Sequence, residues 1–317
     1  MTNLDDSKVN ISVVICAYNP NKHRLQRTLE GLARQTFERT WELIIVDNGS
    51  SQPISIDSTS ISNAAEVRIL TEARPGLSYA RAMGFENAKA SLVILVDDDN
   101  VLVDTYLSDV FKYFEQYPYL GVIGGPCRPE FEAPHEEWLK EFYCLLALRD
   151  LGPDILTASG LNESGKVNYP AFAPVGAGMA IKRDAFLPWL SKFRSGHAGL
   201  TDRKGAELTS SGDNDIVIHA MESGFGVGYF PELSLLHLIP ADRLEVEYLK
   251  RLNFGIQKSW MQVLTLHGIN PWPSLTRFGS IIRCGRAWLK LRPWQSESAS
   301  IKYAGVCGSF NGRVAGR

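Results

Sequence analysis

A mainly parallel α/β domain with a helix-rich extension is the architecture this sequence predicts, on three observations. Short β-branched runs alternate with helical periodicities from Ile11 to about Gly125, the pattern of successive βαβ units. Three of those runs end in polar residues, Ala17-Tyr18-Asn19-Pro20, Asp47-Asn48-Gly49-Ser50 and Asp97-Asp98-Asp99-Asn100, as strands do at the working edge of an open sheet. A chain of 317 residues suffices for one large domain and an appended segment.

The elements follow in order. Residues 11–17 read as a strand, and Leu25, Leu29, Leu32 and Ala33 mark the apolar face of a helix for which Pro20 suits the start. Residues 41–46, 67–70 and 92–96 read as further strands. Segment 76–90, rich in small residues, reads as helical; Leu107, Val110, Phe111 and Phe114 form a clearer stripe, with Asp104 as a suitable cap. From 126 to 174 the alternation is lost among prolines, glycines and aromatics, with a short helical stretch at 138–148. So long an interruption points to a substrate-side insertion. Regular structure resumes at 178–182, as a helix at 215–223 and as strands at 228–230 and 233–236. Helices from Arg243 onward are interrupted by Pro271, Pro273 and Pro293.

Composition narrows the class. A formal net charge of -2 offers no global field for nucleic acid, and none is expected as a partner. Cys16, Cys127, Cys144, Cys284 and Cys307 lack CxxC spacing, which argues against a disulfide framework or a zinc site and favours a reducing cytoplasm. The polar N-terminus lacks the apolar centre of a signal peptide, and the apolar runs are too short to span a bilayer, so any membrane contact is expected to be peripheral.

The chemistry concentrates at the strand ends. Stacked carboxylates at 97–99 after a buried strand repel one another and raise their own pKa values, so a cation is expected there. A divalent metal holding a diphosphate is the economical candidate. Arg74 and Arg81, around the glycine-led helix start at Gly76, suit a diphosphate, although surface arginines and packing glycines would look the same. Asp213 and Asp215 sit where they can cap a helix or serve as a general base. His237 ends an apolar run; alone it reads as a core histidine, and with the aspartates it becomes a credible third ligand. The histidines at 23, 135, 197, 219 and 267 show no metal-type spacing and carry no expected role.

These pieces carry a family resemblance. VVICAYN at 13–19, IIVDNGS at 44–50, RPGLSYARAMG at 74–84, ILVDDDN at 94–100, GAGMAIKRDAF at 176–186 and SGDND at 211–215 resemble, in order and spacing, the bacterial glycosyltransferase family 2. The likeness covers about residues 11–240. It implies the GT-A fold and inverting, metal-assisted transfer of a sugar from a nucleotide diphosphate, with a uridine nucleotide the commonest donor. Domain boundaries follow: a flexible segment 1–10, a nucleotide-sugar half 11–125, an acceptor-side half 126–240 and the extension 241–317.

The resemblance also assigns roles. Ala17, Tyr18, Asn19 and Asp47 look like a nucleoside pocket, and Arg74, Gly76 and Arg81 like donor-phosphate contacts. Asp97 and Asp99 match the outer positions of the DxD motif, Asp97 towards ribose or sugar and Asp99 towards Mn²⁺ or Mg²⁺, with Asp98 between them. His237 resembles the histidine that completes the metal shell. Asp213 matches the base of the Glu-Asp pair, but Gly212 replaces the usual Glu, so Asp215 is kept as a partial substitute. Ala82 stands where relatives carry Asn.

Two other readings fit a nucleotide-binding sheet with carboxylates. One is a sugar-phosphate nucleotidyltransferase, for which the glycine-rich basic N-terminal loop is missing; the other is a non-catalytic nucleotide-sugar-binding protein. The acceptor, a glycan or lipid-linked hydroxyl, is expected against 126–174, where Trp138, Phe142, Tyr143, Tyr169 and Phe172 could stack on sugar. Segment 277–292 mixes Arg277, Arg283, Arg286, Lys290 and Arg292 with Phe278, Ile281, Ile282, Trp288, Leu289 and Leu291. It reads either as a peripheral contact with the inner face of the membrane or as a docked helix with a solvated basic edge, and Gly285 weakens its helicity.

Overall fold

The computed structural model describes residues 9–196 and 211–315, without the side chains of Ser58 and Ser60. The expected flexible segment 1–10 lies outside them but for Val9 and Asn10, as does His197. Strands β1 (Ile11–Ala17), β2 (Trp41–Asp47), β3 (Glu66–Thr71) and β4 (Leu92–Asp97) run parallel, joined through helices α1 (Lys22–Ala33) and α2 (Leu77–Asn87). Alternate residues of β1 explain the layering. Ile11, Val13 and Ile15 pack in the cluster holding Leu25, Leu29 and Leu32 of α1, whereas Val14 faces Ala80 and Phe85 of α2. A Cβ at Gly84 would stand 2.4 Å from Val14 Cγ1, so α2 lies on the sheet at glycine distance.

After β5 (Asn100–Leu102), α3 (Tyr106–Gln116), β6 (Leu120–Gly124), β7 (Cys127–Phe131) and β8 (Leu156–Ala158), the chain returns as β9 (Ala180–Lys182), antiparallel to both β4 and β6. Helices α4 (Arg183–Arg194) and α5 (Gly212–Glu222) precede β10 (Gly226–Tyr229) and β11 (Leu235–Ile239). The main sheet has the order β3-β2-β1-β4-β9-β6-β10-β8, and a second sheet the order β5-β11-β7. This is the mainly parallel α/β arrangement expected.

Several local expectations are corrected. Asn21, rather than Pro20, opens α1: its Oδ1 accepts the His23 and Arg24 N–H groups at 3.0 and 3.1 Å. Asp104 does not cap α3; it accepts from Arg34 Nε at 3.1 Å, and Thr105 takes the cap position. Ser211, not Asp213 or Asp215, stands at the start of α5. The helical stretch in the excursion is a 3-10 helix, Glu137–Leu146. Its buried Leu139, Phe142 and Leu145 recur every third residue, the period of that helix.

The extension comprises α6 (Val246–Leu266), α7 (Arg277–Leu291) and α8 (Glu297–Gly312). Gly305, Gly308 and Gly312 let α8 approach α6: a Cβ at Gly308 would stand 2.2 Å from Phe254 O. Helix α7 forms through Gly285 because Thr276 Oγ1 caps it, accepting from Gly279 N at 3.0 Å. Gly308→Ala is expected to lower stability by about 1–3 kcal/mol through overpacking. Gly285→Ala, with nothing within 4 Å of its Cβ, should raise stability by up to ~1 kcal/mol. Thermal unfolding of the two variants checks the contrast.

Candidate active site

Register brings the polar strand ends together. Ala17 pairs with Asp47 across β1 and β2, and Cys16 with Asp97 across β1 and β4, so the three ends share one edge. At β4 the chain turns sharply, with Asn100 Oδ1 accepting the Asp97 N–H, and enters β5. Pairing of β5 with β11 sets Asn100 opposite His237, and the Leu238 N–H donates to Asp99 O at 2.9 Å. His237 Nε2 thereby stands 3.4 Å from Asp99 Oδ1. Its Nδ1 lies 3.0 Å from the carbonyl of Leu146, a bond that an Nδ1–H donates and that turns Nε2 towards the carboxylate.

A residue the sequence reading did not single out completes this corner. Arg243, in the short 3-10 turn Ala241–Leu244, places Nη1 3.0 Å from Asp99 Oδ2 and 3.2 Å from His237 Nε2. The electrostatics show why a cation belongs here. Burial, then the charges of Asp99 and Asp97, push Asp98 up to about 7. Burial also acts against ionised Asp99, but the His237 bond and the charges of His237, Arg243 and Arg24 hold it down to about 2. Asp99 and His237 offer an oxygen and a nitrogen ligand that fit a divalent cation such as Mn²⁺ or Mg²⁺, with the Arg243 guanidinium lying against both.

Asp213 lies in the first turn of α5, its Oδ2 accepting the Gly176 N–H at 2.9 Å and its Oδ1 the Asn214 N–H at 2.9 Å. Gly176 is hemmed in by charged groups: a Cβ there would stand 2.6 Å from Arg81 Nη2 and 3.4 Å from Asp213. Buried Arg81 and half-buried Asp213 therefore flank the same glycine. Asp215, expected to share the base role, has another occupation. It is buried, accepts from Trp189 Nε1 at 3.0 Å and meets His267 Nε2 at 2.8 Å.

The remaining candidates shape the edge. Burial alone would raise Asp47, but donors from Ser50, backbone and side chain, and from the Ile54 N–H hold it below the usual carboxylate range. Asn19, at φ 47, accepts the Ser51 N–H at 2.8 Å and so ties the β1 end to the β2 end, leaving the exposed Tyr18 ring beside it. Buried Ala17 donates no side-chain function, but its carbonyl accepts the Asn48 N–H. Arg74 is half-exposed, paired with Glu72 at 2.7 Å, and its guanidinium lies over the Tyr79 ring. Gly76, at φ 134, adopts a backbone conformation that a side chain would strain; Asn48 Oδ1 accepts its N–H at 2.9 Å. A cleft of about 710 Å³ lies in the extension, lined in part by Gln262, Trp272 and Arg313, and includes none of these residues.

A mainly parallel sheet with aspartates at its carboxyl edge is the architecture of GT-A glycosyltransferases. The family model "Glycosyl transferase family 2" matches residues 12–200, and the chain belongs to that family. It is similar to the glycosyltransferase GlyG of Streptococcus pneumoniae, 29% identical over 117 residues, 36% of this chain and 38% of that protein. It is also similar to the uncharacterized glycosyltransferase YfnE of Bacillus subtilis, 28% identical over 114 residues, 36% of this chain and 29% of that protein. The matches thus span about a third of those relatives. Among solved structures, GalNAc-T7 with UDP, GalNAc and Mn2+ shares the fold at a TM-score of 0.53 and 15% identity, over 96% of this chain and 56% of that one.

Proposed function

We propose that this chain transfers a sugar from a nucleotide diphosphate donor, a UDP-sugar, to a hydroxyl of a glycan or lipid-linked acceptor in bacterial polysaccharide or glycoconjugate synthesis. The supporting observation is the meeting of Asp99, in the turn after β4, with His237 of β11, far apart in sequence, at the edge where Asp47 and Asp97 also end. Asp99 and His237 would hold Mn²⁺ or Mg²⁺, which when bound neutralises charge on the leaving diphosphate. Asp97 and Asp98 face the donor, and Arg81, Arg74 and Arg243 add positive charge around its phosphates. Asp213 accepts the acceptor's proton as its oxygen attacks the anomeric carbon from the opposite face, so configuration inverts. Asp215 acts through the fold rather than on the substrate.

In this reading residues 11–125 bind the donor and 126–240 face the acceptor. The decisive experiment incubates the protein with a panel of nucleotide sugars and Mn²⁺ or Mg²⁺, following donor hydrolysis and thermal stabilisation. Metal-dependent hydrolysis of one donor is expected. Pyrophosphate release from a nucleoside triphosphate and sugar phosphate would instead establish nucleotidyl transfer, and stabilisation with no hydrolysis a binding protein.

Helix α7 supports a peripheral seat on the inner face of the membrane. Phe278, Ile281 and Leu289 are 71%, 68% and 65% exposed, and Ser280 is the helix's buried residue. The apolar residues share a face at helical spacing, with Arg283, Arg286 and Lys290 on its flank, the layout of a helix lying on anionic lipid. No helix among the described residues is long and apolar enough to cross a membrane. Vesicles with phosphatidylserine are expected to co-sediment the wild-type chain. A variant carrying Phe278→Ser, Ile281→Ser and Leu289→Ser should stay in the supernatant, and equal sedimentation of both would remove this part of the proposal.

A further inference from the structure

Three side chains away from the crevice form a buried cluster of their own. Asp215 and His219 are spaced i,i+4 and so leave α5 on the same face; His267, just beyond α6, comes to meet them. His267 Nε2 is 2.8 Å and His219 Nδ1 3.3 Å from Asp215 Oδ1, and the ligand atoms of all three lie within 4.8 Å of one another. Asp215 and His219 are 1% and 2% exposed. Beside them lies a pocket of about 300 Å³, lined by Lys192, His219, Glu222, Leu266 and His267.

We propose that Asp215, His219 and His267 bind a divalent transition metal of the zinc class, at a centre separate from the Asp99–His237 corner. Two imidazoles and one carboxylate are the donor set of Zn²⁺ and its neighbours rather than of Mg²⁺ or Ca²⁺. Ligands of a tetrahedral zinc, bonded at about 2.0–2.1 Å, stand roughly 3.3 Å apart. The observed 2.8 and 3.3 Å separations need only small adjustments to reach that figure, and the two imidazole nitrogens, within 4.8 Å of each other, have to close towards it.

The outer partners are already in place. His267 Nδ1 lies 2.7 Å from Glu222 Oε1, the carboxylate–histidine arrangement that orients metal-bound imidazole, and Trp189 Nε1 donates to Asp215 Oδ2. A water could reach the fourth position from the pocket. In the metal-free protein His267 sits between Asp215 and Glu222, with its two nitrogens 2.8 and 2.7 Å from their carboxylate oxygens. Metal uptake releases the Nε2 proton of His267 to solvent. Coordination through His219 Nδ1 also moves the His219 proton from Nδ1, where it bonds the main-chain oxygen of Asp215, to Nε2. Asp215, Glu222 and His219 of α5 and Lys192 of α4 are the ionisable groups around His267.

The test uses the full chain, stripped with a chelator and titrated with Zn²⁺ against a chromophoric competitor, with Co²⁺ absorption as a second readout. The Asp99→Asn/His237→Ala variant, lacking the crevice ligands, is expected to retain one tight Zn²⁺ and a tetrahedral Co²⁺ spectrum. His219→Ala and His267→Ala are expected to lose both, and Glu222→Gln to bind about 10–100-fold more weakly. No Zn²⁺ uptake by the crevice variant, or unchanged affinity in the two histidine variants, overturns the site. Should those variants prove unfolded by circular dichroism, unchanged affinity in folded Glu222→Gln overturns it equally.

Discussion

Asp213→Asn is expected to cut turnover by about 100- to 10,000-fold, the contribution of general-base catalysis, while leaving donor affinity unchanged. The substitution keeps an oxygen for the Gly176 N–H, which now donates to Asp213 Oδ2 at 2.9 Å, so the first turn of α5 keeps its place. What is lost is a basic oxygen for the acceptor's proton. Slow hydrolysis of the donor by water should fall as well, because water needs the same base. The comparison with Asp215→Asn separates the two aspartates. Asp215 is turned towards Trp189 and His267, so its substitution should act first on stability, with a lowered melting temperature and near-normal turnover in the fraction that remains folded. Steady-state kinetics at saturating acceptor, alongside thermal unfolding, reads both. Full turnover by Asp213→Asn would remove it from the base role.

The second large effect is expected at Asp99. Asp99→Asn halves the protein's contribution to the cation, and metal-dependent donor binding should weaken by at least about 100-fold, more than the 10–100-fold typical of outer partners. Arg243 makes this substitution informative beyond the metal. Its Nη1 stands 3.0 Å from Asp99 Oδ2, so without the carboxylate the guanidinium is released to pair with Asp98 or the diphosphate. Residual donor binding that no longer depends on Mn²⁺ is then the expected signature. Arg243→Ala should act oppositely, with Mn²⁺ dependence kept and donor affinity lowered. Calorimetric titration of UDP with and without Mn²⁺ distinguishes the patterns, and an Asp99→Asn variant with unaltered Mn²⁺ dependence would exclude Asp99 as a ligand.

The parts of the fold legible in the sequence are those set by local periodicity. Strands β1, β2 and β4 announce themselves as buried apolar runs ending in polar residues, since parallel strands covered on both faces leave polarity for their ends. The antiparallel β9 between β4 and β6, and the pairing of the three-residue β5 with β11, were not legible, because each owes its place to partners far along the chain. The same holds for side chains. Asp99 could be picked out because it stands in a run of carboxylates, whereas Arg243 is one arginine among many until the turn after β11 carries it back. His219 and His267 were given no role from the sequence: the spacing of the histidines among themselves shows nothing, the i,i+4 spacing of His219 from Asp215 was passed over, and His267 comes from just beyond α6. The inward direction of Asp215 is equally a matter of packing: it sits opposite Trp189, whose indole N–H requires a partner when buried.

The three-stranded sheet β5-β11-β7 also bears on how the protein comes into being. During synthesis the aspartates of β4 leave the ribosome long before His237, which arrives only with β11. A nascent chain can raise the first four strands with its acidic cluster still lacking His237 and Arg243. Competence to grip a charged donor is thus deferred until the latter half has been made and has laced itself beside the turn at Asn100.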